Sequence, residues 1–354
     1  MEILLEELYK TDLQIDKFHD RKIFLEDMSY QINGITKSGK SSLVKNYLLS
    51  LKKSSYLYID CSDVRIDLHE LNTHLGDFCK KNKIDTLVLD NYIERINFPN
   101  VSQFMILCEE HYPINDLKTL RLYPLDYEEF LAFEYKYDSS ALNHFFQLGG
   151  LPSMQKVNAD VRNIYVQKIL EAALDVMEFD VLCFCAKMMA QKLSAFTIYE
   201  RLKGNRKISK DKLYRVFDAL LAKNYIHQLQ KFHHPNATKK LYLCDIALKS
   251  ALTIEKHFGR LFENMVFLEL LKSDVACYYE DGIDFYLPQS EEIILCMPFA
   301  DERSLFKKIE HIEAFIFSYQ VKKITAITMN REGGISHPFS RVEMLPFDIW
   351  AIGD

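Results

Sequence analysis

The residues best suited to chemistry are those of the pattern Gly34-x-x-x-x-Gly39-Lys40-Ser41. Glycines let the main chain wrap closely around a polyphosphate, whose charge is met by amide groups at the start of the following helix. Lys40 would reach the β- and γ-phosphates, and the Ser41 hydroxyl would be a ligand of Mg²⁺. The pattern follows a short apolar run and precedes a helical stretch. We therefore predict a nucleotide site here rather than a polar loop with a lysine.

The Mg²⁺ that accompanies a nucleoside triphosphate also needs an acidic residue at the end of a nearby apolar strand. Asp90 supplies one, because it ends the apolar run "TLVLD" (86–90). We predict that ATP and Mg²⁺ are the cofactors and that Ser41 and Asp90 hold the metal. The predicted nucleotide-binding residues are the whole loop and the first helical turn: Gly34, Ile35, Thr36, Lys37, Ser38, Gly39, Lys40, Ser41 and Ser42.

Hydrolysis needs a base that activates water, and the residue after the predicted Mg²⁺ acid is Asn91. An amide cannot accept a proton at neutral pH. Glu94 is a substitute, although one helical turn away it is also typical of a solvated side chain. The candidate catalytic residues are therefore Asp90, Asn91 and Glu94. They predict ATP binding with weak or absent hydrolysis, and the alternative is an active ATPase completed by Glu94 or by a partner subunit.

The first 150 residues alternate short β-rich runs with amphipathic stretches. The predicted strands are 29–33, 55–60, 85–90, 102–108 and 117–123. This alternation indicates an α/β fold, with a parallel sheet covered by helices on both faces. Residues 151–250 are predicted to be mostly helical and to end in a hairpin around "HHPNAT", and residues 251–354 to alternate helices and strands.

Beyond the loop, four stretches carry a resemblance: "YPLDYEEFL" (123–131), "LGGLP" (148–152), "GRLFENMVFLELL" (259–271) and "DGIDFYL" (281–287). In order and spacing they resemble the prokaryotic AAA-type (archaeal-ATPase-like) family of ATP-binding proteins. The resemblance implies a doubly wound P-loop domain at 1–150, a winged-helix domain at 151–250 and a PD-(D/E)xK nuclease-like domain at 251–354. It also implies ATP binding and DNA-linked or regulatory roles.

The chain departs from that family at the positions that serve hydrolysis. The family carries Asp-Glu where this chain has Asp90-Asn91, and Gly-Ser-Ser where this chain has "CEE" (108–110). Glu109 and Glu110 would repel a γ-phosphate rather than orient water beside it. These departures leave the phosphate cradle intact, and the combination predicts a nucleotide-dependent switch with weak or absent hydrolysis.

The segment 194–245 is basic, with 11 Lys and Arg against 4 Asp and Glu, whereas the whole chain has a net charge of −6. Two short helices, opened by the capping residues Ser194 and Ser209, precede the hairpin, which is a winged helix-turn-helix plan. The basic side chains that would meet the phosphates of duplex DNA are Lys207, Lys210, Lys212, Arg215, Lys239 and Lys240. The alternative is that this module packs against the ATPase domain and that its charges meet acidic residues.

In the C-terminal segment, Glu263 on a helix and Asp284 on a strand resemble part of a restriction-endonuclease-like core. That chemistry requires two carboxylates and a lysine around Mg²⁺. The inward positions of the next strand, "EEIILCMPF" (291–299), are predicted to be Leu295 and Met297, which are apolar. We therefore predict a structural or interaction module without nuclease activity.

The bulk properties favour a cytoplasmic protein. No run approaches 18 uncharged apolar residues, and the acidic N-terminus lacks the layout of a signal peptide. The eight cysteines have no spacing typical of a metal site, which favours free thiols in a reducing compartment. These observations predict no membrane segment, and they leave open a protein partner or a homo-oligomer.

Overall fold

The computed structural model describes residues 1–15, 20–134, 140–204 and 208–353. The chain divides into two compact units. The first consists of Met1–Tyr123 with Ala222–Asn224, and the second consists of Pro124–Leu221 with Tyr225–Asp354. The division into three domains at residues 150 and 250 stays a prediction.

The first unit is built around a five-stranded sheet. Its elements are α1 (Glu2–Lys10), β1 (Tyr30–Asn33), α2 (Lys40–Leu49), β2 (Tyr56–Asp60), α3 (Leu68–Asn82), β3 (Thr86–Asp90), β4 (Gln103–Cys108) and β5 (Lys118–Arg121). The strands lie in the order β2-β3-β4-β1-β5 and all pair in parallel. The predicted α/β fold with a parallel sheet is confirmed, and each of the five predicted runs contains one strand.

The central strands of this sheet are buried on both sides, because helices cover both of its faces. On one face, α2 packs Val44 against Ile32 of β1. On the other face, α3 packs Leu71 and Leu75 against Leu89 of β3. Burial of each such side chain stabilises the fold by about 1.5–3 kcal/mol. The two cores therefore hold the carboxyl ends of β1, β2 and β3 in fixed positions at one edge of the sheet.

The second unit contains a six-stranded sheet and a three-stranded sheet. The remaining elements are α4 (Tyr127–Glu134), α5 (Ala141–Leu148), α6 (Arg162–Ala173), α7 (Val176–Lys187), β6 (Gln191–Lys192), α8 (Ala195–Leu202), α9 (Lys210–Ala222), β7 (Ile226–Leu229), β8 (Lys240–Leu243), α10 (Ala247–Leu252), α11 (Phe258–Lys272), β9 (Tyr278–Glu280), β10 (Ile283–Leu287), β11 (Glu292–Cys296), α12 (Glu302–Ser318), β12 (Lys323–Thr328), β13 (Gly333–Ile335), β14 (Arg341–Pro346) and α13 (Phe347–Ile352). The strand orders are β13-β14-β12-β11-β10-β9 and β6-β8-β7.

Helices α8 and α9 begin where the sequence predicts. Ser194 Oγ accepts a hydrogen bond from the amide of Thr197 at 3.1 Å, and Ser209 Oγ accepts one from the amide of Lys212 at 3.2 Å. Each serine thus satisfies an amide that has no partner within its own helix. Strands β7 and β8 pair antiparallel after these helices, as the predicted hairpin requires.

The predicted inward positions, Leu295 and Met297, are apolar and do face inward, but Glu263 and Asp284 lie near Cys296 instead. Leu295 and Met297 lie on the face that packs in the core with α12. It is Cys296, between them, whose main-chain amide donates to Asp284 Oδ2 at 2.8 Å. The strand is apolar on both faces, so its sequence carries no alternation that fixes which face is which.

None of the helices in the described ranges has the length and apolar character needed to cross a bilayer.

Candidate nucleotide site

The loop between β1 and α2 takes its shape from two glycines. Gly39 immediately precedes α2 and has a φ of 101°, which residues with a side chain rarely adopt. At Gly34 a Cβ atom would lie 2.4 Å from the carbonyl oxygen of Leu122 and 2.8 Å from Ser38 Oγ. The main chain at position 34 therefore lies too close to its neighbours for any side chain. Packing of the loop thus requires glycine at position 34, which is the first glycine of the predicted phosphate-loop pattern.

Lys40 lies in the first turn of α2, and its side chain points back into the loop. Its Nζ donates hydrogen bonds to the carbonyl oxygens of Gly34 at 2.7 Å and Ile35 at 3.0 Å. Burial lowers the pKa of this amine, while the charges of Glu109 and Asp90 raise it. A buried ammonium bonded to neutral carbonyls has lost more hydration than those bonds replace, so an anion beside it is favoured.

The structure brings Ser41 and Asp90 together at the carboxyl end of β3. Ser41 Oγ donates to Asp90 Oδ2 at 2.5 Å, and the Tyr58 hydroxyl donates to the same oxygen. The main-chain amide of Asn91 donates to the other oxygen, Oδ1, at 2.8 Å. A hydroxyl and a carboxylate in contact are the kinds of oxygen ligand that Mg²⁺ takes beside a bound triphosphate.

Ser38 is the loop residue with an unsatisfied polar atom. Its side chain is fully buried, and its Oγ has no hydrogen-bond partner among the described residues. Its carbonyl oxygen accepts a hydrogen bond from Arg21 Nη1 at 3.1 Å, and Arg21 Nη2 donates to the carbonyl oxygen of Tyr123 at 2.8 Å. Arg21 therefore fixes the back of the loop, while the orphaned hydroxyl is a donor that a phosphate oxygen would satisfy.

The other predicted loop residues are in place around this cradle. Ile35 is buried, Thr36 is half-buried, and Lys37 and Ser42 are exposed. Lys37 has a φ of 60°, so the main chain turns sharply at the tip of the loop. The tip is therefore exposed while the cradle beneath it is closed.

The predicted catalytic residues do not all meet. Asn91 directly follows Asp90, and its Nδ2 donates to Asp60 Oδ1 at 2.9 Å. Glu94 is exposed in the segment between β3 and β4. The residue that Asn91 touches is thus Asp60 at the end of β2, a carboxylate that the sequence reasoning did not select.

Sequence reasoning missed three residues of this site, namely Arg21, Tyr58 and Asp60. Asp60 ends the apolar run "YLYID" (56–60) just as Asp90 ends its own, so the same rule would have found it. Tyr58 is two positions earlier on that strand, where an aromatic residue is ordinarily taken as core. Arg21 carries no sequence signal, because it lies in a polar stretch outside any predicted element.

The residues of the site fit MgATP. The position of Gly34 excludes a Cβ, Ser38 Oγ is a buried donor without a partner in the described chain, and Lys40 is a desolvated cation. The last two features disfavour the free loop, and a polyphosphate would relieve both by giving the hydroxyl an acceptor and the amine a negative charge. The paired Ser41 and Asp90 would supply oxygen atoms for the metal.

In the basic segment 194–245, the basic side chains of the helices and of the hairpin differ in exposure and in ion pairing. On α9, Lys210, Lys212 and Arg215 are exposed, whereas Lys207 lies outside the described residues. On β8, Lys240 Nζ lies 2.8 Å from Glu263 Oε1. In the same unit, Lys192 and Lys231 form ion pairs with Asp281 at 2.8 Å and 2.6 Å. In the hairpin, Lys231 and Lys240 are therefore paired with acidic residues of the C-terminal segment, and α9 carries the exposed basic face.

Glu263 and Asp284 lie near Lys240 rather than around an open metal position. Lys240 Nζ is 3.8 Å from Asp284 Oδ1, and the Tyr242 hydroxyl donates to Glu263 Oε1 at 2.7 Å. Burial raises the pKa of Glu263, although Lys240 lowers it. In residues 1–15, 20–134, 140–204 and 208–353, no group of three or more His, Cys, Asp or Glu side chains is arranged to hold a metal ion.

Comparison with known proteins gives two similarities. No protein-family model matches the chain. A curated relative, the uncharacterized protein MJ1544 of Methanocaldococcus jannaschii, is 24% identical over 427 aligned positions that span 99% of this chain and 95% of the relative. Among solved structures, the chain is similar to the Aeropyrum pernix ORC1 protein in complex with DNA, with a TM-score of 0.32 and 11% identity over 64% of this chain and 86% of that one. Likeness of this size carries no functional argument, so function is inferred from the residues of this chain.

Proposed function

We propose that the first unit binds MgATP in the loop between β1 and α2 and that the bound nucleotide acts as a switch. The observation that supports this most is the position of Lys40, a buried ammonium whose two hydrogen bonds go to the carbonyl oxygens of Gly34 and Ile35. A triphosphate would replace these weak neutral partners by a full negative charge. Hydrolysis is weak, since an amide, Asn91, follows the metal acid.

Each residue of the cradle has a distinct role in this proposal. The main-chain amides of the loop and of the first turn of α2 bind the phosphates, and Lys40 meets the β- and γ-phosphates. Ser41 and Asp90 hold Mg²⁺, which neutralises the charge of the triphosphate. Tyr58 orients Asp90 through its hydroxyl. The chain's own groups thus bind and position the nucleotide.

The resemblance of the sequence extends the proposal to the whole chain. It would be an AAA-type ATP-binding protein of the cytoplasm, with a winged-helix module at 151–250 and an inactive nuclease-like domain at 251–354. The five-stranded parallel sheet, with its loop before α2 and Asp90 at the end of β3, supports the AAA-type assignment. The alternative is an active ATPase in which Glu94 or a partner subunit, including a second copy of this chain, completes the site.

The binding proposal is tested by titrating the wild-type chain with a fluorescent ATP analogue, with and without EDTA. We expect saturable binding that unlabelled ATP reverses and that weakens when EDTA removes Mg²⁺, because Ser41 and Asp90 would then hold no metal. The conformational switch is measured by amide hydrogen exchange of the chain with and without bound MgATP, and a change in protection outside the loop is expected. Absence of saturable binding at millimolar nucleotide contradicts the proposal.

A second candidate function, a DNA-binding regulator for which nucleotide is incidental, is favoured by the exposed face of α9. Lys210, Lys212 and Arg215 are exposed on it, and α9 is the second helix of the proposed helix-turn-helix. Lys210 Nζ lies 5.4 Å from the ring of Phe196 and 5.6 Å from the ring of Tyr214, both of which are also exposed. A cationic face with aromatic rings suits a nucleic-acid backbone.

Reversing two charges on α9, with Lys210→Glu and Lys212→Glu together, is expected to weaken duplex binding. Each lysine that neutralises a phosphate adds about 0.9 to the slope of log affinity against log salt, so the slope should fall by about 2. Fluorescence anisotropy of a labelled duplex across a salt series measures this slope. The matched control reverses Lys80 and Lys81 on α3. An equal effect in the control, or duplex binding by the wild type that is insensitive to salt, contradicts this role for α9.

A further inference from the structure

Asp60 and Asp90 stand side by side at the edge of the sheet where the phosphate loop lies. They end the adjacent parallel strands β2 and β3, and they are register partners in that pairing. Since the carboxyl ends of parallel strands form the ligand-binding edge of such a sheet, two carboxylates face the same region. Asp90 accepts hydrogen bonds from the hydroxyls of Ser41 and Tyr58. Asp60, in contrast, has no role in the proposed metal site.

The two oxygens of Asp60 differ. Oδ1 accepts hydrogen bonds from the Ser62 amide at 3.0 Å, from Ser62 Oγ at 2.6 Å and from Asn91 Nδ2 at 2.9 Å. Oδ2 accepts no hydrogen bond from the described part of the chain, and the side chain is half-buried. One oxygen therefore anchors the carboxylate, and the other is left to accept a proton.

We infer that Asp60 is the general base of a slow ATP hydrolysis, supplying through β2 the carboxylate that Asn91 does not supply after β3. This inference rests on the proposed binding of MgATP. The water oxygen forms a bond to the γ-phosphorus, and the bond from the γ-phosphorus to the β,γ-bridging oxygen breaks. The water proton goes to Asp60 Oδ2 and then to solvent. The products are ADP, inorganic phosphate and one proton, so no further reactant is needed.

Asn91 positions this base. Its main-chain amide donates to Asp90 Oδ1 and its side-chain amide donates to Asp60 Oδ1, so one residue joins the metal acid to the proposed base. Asn91 has a φ of 50°, a conformation that asparagine tolerates better than most residues. Glu94, in contrast, is exposed in the segment that follows. Asp60 is therefore favoured over Glu94 as the carboxylate that acts on water.

The test compares the full-length wild type with Asp60→Asn, Asp60→Glu, Glu94→Gln and Asp77→Asn. Asparagine keeps a carbonyl oxygen for the three anchoring hydrogen bonds but cannot take a proton. Asp77 is an exposed carboxylate on α3 and serves as the matched control. Single-turnover phosphate release from γ-labelled ATP, equilibrium ATP affinity and the identity of the nucleotide recovered on the protein are measured for each.

We expect Asp60→Asn to bind ATP as tightly as wild type, to release phosphate at least 100-fold more slowly and to retain ATP where wild type retains ADP. Asp60→Glu should keep part of the rate, and the control Asp77→Asn should match wild type. The inference is overturned if Asp60→Asn hydrolyses ATP normally, if Glu94→Gln loses the rate instead, or if wild type binds ATP and releases no phosphate. If the wild type does not bind ATP at all, the proposed function is contradicted, and the role of Asp60 as a base is contradicted with it.

The pH dependence of stability of the nucleotide-free chain tests the hydrogen bonds of Asp60 without any measurement of activity. Burial raises the pKa of Asp60, but the hydrogen bonds from Ser62 and Asn91, together with the charge of Lys45, outweigh it, and the pKa is lowered overall. The stability from these bonds is therefore present above pH 3.8 and is lost as the pH falls through the lowered value. Urea unfolding at several acidic pH values should show this loss in wild type and not in Asp60→Asn. Equal pH dependence in the two would contradict the anchored geometry.

Discussion

Replacing Lys40 with alanine is expected to weaken MgATP binding by roughly 30- to 150-fold. Hydrogen bonds to a charged group contribute about 2–3 kcal/mol, which corresponds to that change in affinity. The loss should fall on the triphosphate more than on the base or sugar, so ADP affinity should fall less than ATP affinity. Isothermal titration calorimetry measures both.

The fold of the variant has to be separated from its binding. Lys40→Met keeps the aliphatic stem and removes only the amine, so it should lose affinity as Lys40→Ala does. The matched control is Lys52→Met, which removes an exposed amine just beyond the C-terminus of α2. If both Lys40 variants bind ATP as wild type does, Lys40 is not a phosphate ligand.

The same lysine predicts a pH dependence. Burial lowers the folded-state pKa of Lys40 below 10.5, so between the lowered value and 10.5 the unfolded chain binds more protons than the folded one. The stability of the free protein should therefore rise with pH across that window, and Lys40→Met should lack this rise. MgATP favours the charged amine, so its affinity should fall as the pH rises through the lowered pKa. Urea unfolding and calorimetry at several alkaline pH values measure the two slopes.

Gly34→Ala is expected to destabilise the first unit by about 3 kcal/mol, because the added Cβ would overpack a closed region. That atom would lie 2.4 Å from the carbonyl oxygen of Leu122, which is main chain and cannot rotate away as a side chain can. The loop must move, and ATP affinity should fall with it. Urea unfolding measures the stability, and the fluorescent analogue measures the affinity.

A second glycine provides a control, because its replacement with alanine should stabilise the chain rather than destabilise it. Gly76 lies within α3, and a Cβ at that position would meet nothing within 4 Å. Alanine there should stabilise the chain by about 0.5–1 kcal/mol, because glycine is a poor helix former, and should leave nucleotide binding unchanged. Equal effects of Gly34→Ala and Gly76→Ala on stability would contradict the close packing of the loop.

The parallel sheet and the loop were predictable because their signals are local. Each strand of the first unit is a short apolar run, and Gly34, Gly39 and Lys40 are fixed by spacing along the chain. The contacts of Asp60 and Tyr58 were not predictable in this way. They depend on β2 lying beside β3, which is a property of strand order that no local pattern encodes.

The omissions in the second unit have a similar origin. β9 and β13 have three residues each, and β13 begins with two glycines, so neither gives a clear apolar alternation. In β11, apolar residues on both faces give no sign of which face lies beside Glu263 and Asp284, and Leu295 and Met297 lie on the face that packs in the core with α12. Side-chain orientation in a strand buried on both sides is set by the elements that cover it rather than by its own sequence.

The most direct measurement is a crystal structure of the chain soaked with MgATP. We expect a triphosphate in the bend before α2, with the amine of Lys40 turned from the carbonyl oxygens of Gly34 and Ile35 to the β- and γ-phosphates. Mg²⁺ should lie between the Ser41 hydroxyl, the γ-phosphate and the water shell held by Asp90. A bend that excludes nucleotide at saturating concentration, with Lys40 still bonded to those two carbonyls, would contradict this expectation.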